Sequence, residues 1–246
     1  MKLPAIQGII RRRILLNFRV DPARLRPQLP AGFELQLQSG WAVAGVCLIR
    51  LEQMRPCGWP ALLGISSENA AHRMAVSWRE PSGETRTGVY VPRRDTDSRL
   101  NQMAGGRFFP GEQNAAEFTV HEQGEAIDFA MRSMDGTVTV EFQGAGTTAW
   151  PGTSIFGSLA EASSFFQAGS LGYSARKVPG TLDGIELRVQ NWQVSPLAVT
   201  QVRSSYFSDA TQFPAGSVEF DNALVMRDIP HEWRGVPPRT DSSAGL

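Results

Sequence analysis

Lysine is nearly missing from this chain. Lys2 and Lys177 are the only two among 24 basic residues, so arginine carries the positive charge. Arginine keeps its proton and does not condense readily with ketones, which leaves two lysine positions for covalent capture of a carbonyl. Net charge is missing too. The 24 basic and 24 acidic residues cancel, and no surplus steers the protein to nucleic acid or anionic lipid. We expect no nucleic-acid partner and no membrane partner. Cys47 and Cys57 are the whole cysteine complement, too few for a disulfide framework, and reduced thiols are expected. No run approaches the ~20 apolar residues of a membrane-spanning helix. The N-terminal MKLPAIQGIIRRRILL carries its arginines after the apolar stretch, unlike a secretion signal. The expected location is the cytoplasm.

Signature motifs are also lacking. There is no phosphate-binding Walker loop, no dinucleotide GxGxxG and no GxSxG elbow. His72, His121 and His231 stand far apart without ligand spacing, and read as partly exposed strand or loop residues. No metal and no cofactor are expected.

The chain does hold a succession of short strand patterns. Residues 11–19 read as a first strand. Asp21 and Pro22 then open a short helix, as N-cap and first helical residue. Strands are predicted over 33–38 and 41–51, joined by the hairpin pair Ser39-Gly40. Further strands are predicted at 68–79, 85–92, 115–122, 125–133 and 137–144, with Asp135-Gly136 turning between the last two. Residues 97–107 read as a helix with Asp95 or Asp97 near its start. Ser158 and Glu161 form a capping pattern for a helix at 158–167. Strands return at 171–177, 184–194 and 217–227, with 195–216 ambiguous. The total is about eleven strands and three helices, joined by short turns. That composition predicts one α+β domain over 1–233: a mainly antiparallel, strongly curved sheet or β-barrel with peripheral helices. The polar, Pro-rich stretch 234–246 is expected to be a loose tail.

Candidate functional residues are ionisable groups inside apolar strand segments. Arg19 ends the run LLNFRV; it either snorkels to water or grips a carboxylate through two parallel hydrogen bonds. Arg13, one of a basic triplet, reads as a solvated face. Glu68 opens a strand, as a surface residue or as a carboxylate on a pocket wall. Arg93, Arg94, Asp95, Asp97 and Arg99 cluster at a helix start, where capping and surface ion pairs are the simplest reading.

Four segments carry a resemblance. They are LLNFRVDPARLRPQLPAGFEL, SENAAHRMAVSW, GVYVPRRDTDSRLNQMAGGRFFPGEQNAAEF and LRVQNWQVSPL. Together they resemble the acetoacetate decarboxylase-like superfamily, in a branch of uncharacterised bacterial proteins, most specifically over residues 11–118. The resemblance implies that Arg19 falls on the family arginine, Glu68 on one family acid and Asp97 on the other. The family's Schiff-base lysine and its neighbour fall near Gly111 and Glu112, where no lysine stands. Imine chemistry is therefore not expected, with Lys177 as the one other lysine beyond Lys2.

Three expectations follow. The first is a small-molecule binder whose ligand bears a carboxylate or carbonyl, held by Arg19 with Glu68 and Asp97; Trp41, Phe108, Phe109 and Trp192 are candidate apolar walls, with core packing as the alternative role for each. The second is a lyase- or isomerase-type enzyme using Glu68 or Asp97 as acid or base, with Arg19 polarising a carbonyl. The third is a structural or oligomerising protein with a filled interior. A homo-oligomer is a possible partner state in each.

Overall fold

The computed structural model describes residues 5–105, 111–175 and 180–240. Its strands are β1 (Ile6–Val20), β2 (Glu34–Leu35), β3 (Leu37–Gln38), β4 (Trp41–Pro56), β5 (Ile65–Arg79), β6 (Thr85–Thr96), β7 (Asn114–Gln123), β8 (Ala126–Ser133), β9 (Thr139–Gly146), β10 (Leu171–Ala175), β11 (Thr181–Val189), β12 (Ser195–Ser204) and β13 (Val218–Thr240). Helices α1 (Pro22–Leu25), α2 (Arg99–Ala104) and α3 (Leu159–Ala168) lie between them. Among the described residues no helix is long and apolar enough to cross a membrane.

All thirteen strands belong to one mixed sheet, mostly antiparallel, with parallel pairings of β6 to β7 and to β10. The pairings close two circuits. One runs β13–β1–β4–β5–β6–β10–β11 and returns to β13. The other leaves β6 through β7, β8, β9 and β12 and also returns to β13. Strands β13, β1, β4, β5 and β6 are common to both, so this wall is covered on its two faces. Coverage on both faces explains the unbroken apolar runs of β1 and β4, where alternation is lost.

The interior of the nine-strand circuit is filled by side chains, including Leu16, Val46, Met74, Phe129, Val140 and Phe142. Across the shared wall, Leu15, Val43, Ala75 and Leu224 pack with Phe156, Ala162 and Phe166, the last two from α3. Each filled side removes large apolar areas from water, the main stabilising term of the fold.

Local signals set several boundaries. Asp21 accepts a hydrogen bond from the Ala23 amide, with Pro22 in the first turn of α1. Ser158 caps α3 through the Glu161 amide. Ser39 and Gly40 both take positive φ, at 50° and 83°, as a tight hairpin requires. Three expectations are corrected and one open segment is resolved. The cap of α2 is Ser98, which accepts from the Asn101 amide, and not Asp95 or Asp97. The ambiguous 195–216 segment begins with β12. The stretch 33–38 is split into two short strands, because the chain changes partner at Gln36: β2 pairs with β5 and β3 with β4. Finally, residues 234–240 are not loose: β13 continues to Thr240, pairing with Thr181. The register shifts between Leu182 and Gly184, opposite Pro237 and Pro238, so a bulge absorbs two residues that cannot donate to the ladder. Residues 241–246, the end of the predicted 171–177 strand and the end of the predicted 97–107 helix lie outside the described residues.

Candidate binding cavity

The seven-strand circuit is hollow on the α3 side. It encloses a cavity of about 340 Å³ to which every one of its strands contributes a wall residue. Ile49, Leu51, Val89, Val91, Ile185 and Leu187 make much of the surface apolar. The guanidinium groups of Arg13, Arg73 and Arg94 interrupt it, together with Cys47, Asn69, Asn101 and Gln113; Arg55 also lines it, its guanidinium donating to the Gln53 and Trp59 carbonyls. No carboxylate lines the cavity among the described residues.

Cross-strand register explains the convergence. Arg13, Ile49 and Asn69 lie side by side on β1, β4 and β5; so do Leu15, Cys47 and Ala71, with Arg94 next on β6; so do Asn17, Gly45 and Arg73. The small residues between the large ones leave room for long side chains. Arg73 reaches across Gly45, whose Cβ would stand 2.1 Å from the Leu16 carbonyl oxygen. It donates from Nη2 to Asn17 Oδ1, while its guanidinium lies 4.8 Å from the Phe166 ring centroid. Its Nε is buried without a hydrogen-bond partner among the described residues. Arg94 donates through Nε to Ser174 Oγ at 3.1 Å, and its terminal nitrogens donate to no described residue. Arg13 donates from Nε to Cys47 Sγ at 3.3 Å and lies over the Trp192 ring. Burial lowers the pKa of both Arg73 and Arg94 to about 10. Both remain cationic at neutral pH, and none of Arg13, Arg73 and Arg94 is ion-paired with a described residue.

The structure places Arg19 away from this wall. It bonds Glu219 and the Thr153 carbonyl, lies over Trp41, and has Nη1 3.8 Å from Asp221 Oδ1. A buried relay nonetheless joins it to the cavity. Asn222 donates to Asp221 Oδ2 at 2.6 Å, Asn17 donates to Asn222 Oδ1 at 2.8 Å, and Arg73 donates to Asn17. Glu68 and Asp97 are brought together. Asp97 Oδ1 accepts from the Glu68 amide at 3.0 Å, and the Asp97 amide donates to the Glu68 carbonyl. Burial raises the pKa of both carboxyls, against the opposing pull of Arg12 on Glu68. Glu68 sits on the other face of β5 from Asn69 and Arg73, paired with Arg12 at 2.7 Å. Of the expected walls, Trp41 packs with Arg19 and Trp192 with Arg13, outside the cavity surface. Phe108, Phe109 and Lys177 lie outside the described residues.

The basic triplet is not one solvated face. Arg11 is exposed and pairs with Glu52 and Asp228. Arg12 is buried against Glu68 and Glu122, and Arg13 faces the cavity. A register shift between Ile10 and Arg12 accompanies this division. His72 and His231 are buried, while His121 is exposed. The arginines that line the cavity were not singled out as site residues by the sequence reading. The available signal was Arg73 in the apolar run AAHRMAV, a charge with nowhere polar to go.

Comparisons agree with this architecture. The family profile of DUF2071, an uncharacterised conserved protein, matches residues 10–225. No curated protein matches the chain. Among solved structures, an acetoacetate decarboxylase-like enzyme from Sphingomonas wittichii RW1 superposes with a TM-score of 0.62 at 15% identity, covering 98% of this chain and 93% of its own. Acetoacetate decarboxylase from Legionella pneumophila superposes at 0.60 with 12% identity, covering 96% and 88%. The enduracididine biosynthesis enzyme MppR, complexed with pyruvate, superposes at 0.60 with 14% identity, covering 98% and 91%. The chain belongs to the DUF2071 family and has the acetoacetate decarboxylase-like fold.

Proposed function

We propose that this protein binds a small organic anion with an apolar body, its carboxylate held in the cavity by Arg73 and Arg94. The observation that carries this reading is the pair of buried guanidiniums without a described carboxylate partner, facing an apolar hollow. A buried cation is costly unless paired, and a ligand carboxylate supplies the missing partner through charge-assisted hydrogen bonds. A few directed polar groups in an apolar cleft are the usual make-up of a small-molecule site. MppR, of the same fold, holds pyruvate, itself a small carboxylate.

The proposed role uses no Schiff-base step, since no lysine stands where the resemblance puts the family's. At Gly111, where the family lysine falls by resemblance, φ is +79° and a Cβ would meet Ser174 Cβ at 2.9 Å and Arg94 Nε at 3.0 Å. A side chain there competes with Arg94 for space. Acid–base catalysis by Glu68 or Asp97 is a second reading, favoured by their contact and raised pKa values. It ranks below binding because neither carboxyl lines the cavity.

Thermal shift and calorimetry with benzoate, 2-oxo acids and hydroxy acids test the proposal, each acid matched to its neutral amide. Saturable stabilisation by the acids and none by the amides is expected. Arg73→Gln and Arg94→Gln should each weaken binding at least ~10-fold, the scale of a lost charged hydrogen bond. Equal binding of acid and amide, or variants that bind as the parent does, would sink it.

A further inference from the structure

Cys47 shares the cavity wall with Arg13, Arg73 and Arg94. Its Sγ accepts from Arg13 Nε at 3.3 Å, and its neighbour across β5, Ala71, is small and lies beside Arg94. Cys47 is 8% exposed and free, and it forms part of the cavity wall. A buried cysteine alone signifies little. Here a second observation points to a ligand at the same place: Arg94, only 8% exposed, also lines the cavity, and its terminal nitrogens donate to no described residue.

We infer that Cys47 is a covalent modification site for electrophilic carboxylates, whose anionic end the arginines hold while the electrophilic carbon meets Sγ. This rests on the anion-binding reading above. The cations gather the anionic reagent, and its bound position replaces a bimolecular encounter with a nearly unimolecular one. For a 2-haloacid, the sulfur forms the S–C bond, the carbon–halogen bond breaks, halide leaves with the electron pair, and the thiol proton passes to solvent. No oxidant or co-reactant is needed.

The chain contains its own control. Cys57 is exposed, and its pKa is raised by desolvation first and by the Glu232 carboxylate second, against the opposing pull of Arg234 and Arg55. A negative neighbour repels the reagent that the arginines attract. The two thiols fall in different tryptic peptides, separated by cleavage after Arg50. Labelling of the whole protein by iodoacetate and by iodoacetamide, read peptide by peptide, therefore gives two ratios from one sample.

The iodoacetate-to-iodoacetamide rate ratio should be at least ~10-fold higher at Cys47 than at Cys57, the scale of cation-directed rate gains. Excess benzoate should suppress it, and Arg94→Gln should bring it toward the Cys57 value. If Cys47 keeps the same ratio as Cys57 while benzoate still raises Tm, the thiol inference falls and the anion site stands. If benzoate neither stabilises nor protects, both fall. If Arg94→Gln fails to fold, the benzoate protection and the paired ratios on the parent decide the matter alone.

Discussion

Arg73 and Asn17 meet across Gly45. The three residues share one cross-strand row on β5, β1 and β4, and the missing side chain in the middle lets the guanidinium reach the amide oxygen. One glycine thereby connects the cavity to the relay that ends at Asp221 and Arg19.

Gly45→Ala should disturb both packing and this contact. The new Cβ meets backbone, the Leu16 carbonyl, which cannot rotate aside. A loss of about 1–3 kcal/mol is expected from forced overpacking. Urea unfolding measures it, and an unchanged midpoint would show that the row has slack.

Arg94→Met should raise stability in the absence of ligand while removing the anion response. Arg94 is buried and donates only to the Ser174 hydroxyl among described residues. Replacing an uncompensated buried charge with an apolar chain of similar length is neutral or favourable by about 1–4 kcal/mol. Urea midpoints with and without benzoate check both parts. A large loss without ligand would mean that the cation already has a partner.

Glu68→Ala should cost about 3 kcal/mol, because Arg12 loses one of its two acids in a buried setting. Arg12→Met combined with Glu68→Met should recover most of that loss, since no buried charge of the pair remains. A double-mutant cycle by chemical denaturation compares them. Additive losses would rule out coupling through the pair.

Acid should destabilise the protein through its buried imidazoles. Burial lowers the pKa of His72 to about 3 and of His231 to about 4, from 6.5. Between those values and 6.5 the unfolded chain binds more protons than the folded one. Stability therefore rises with pH through that window, is fully present above 6.5, and is lost as pH falls toward 4 and then 3. Glu68 and Asp97, whose folded pKa values are raised, act with the opposite sign. The difference between parent and His72→Phe isolates the histidine. Phe suits the ring contacts with Tyr206 and Phe207, and the variant should show a shallower loss of stability between pH 6.5 and 4. Identical slopes would assign the acid sensitivity elsewhere.

Arg19→Ala should change anion affinity by less than about threefold and cost about 1 kcal/mol or less, as a partly exposed pair with Glu219. Calorimetry against Arg73→Gln separates the two arginines. A loss as large as that of Arg73→Gln would return Arg19 to the binding site, acting through the relay.

Sequence alone determined the features that depend on a few adjacent residues. Asp21-Pro22 opens α1, Ser39-Gly40 turns between β3 and β4, and Ser158 caps α3. Each works through a local hydrogen bond or a permitted φ, so neighbouring residue types suffice. The curved, mainly antiparallel sheet was legible for the same reason, as short strands joined by short turns. Tertiary structure decided which charges face the hollow. The shared wall is covered on both sides, so Arg12 on the packed side and Arg13 on the cavity side have equally apolar sequence surroundings. Only the closure of two circuits around that wall distinguishes them. The extension of β13 through Pro237 and Pro238 was likewise decided by tertiary pairing, because β11 holds the strand on either side of the β13 bulge that contains them.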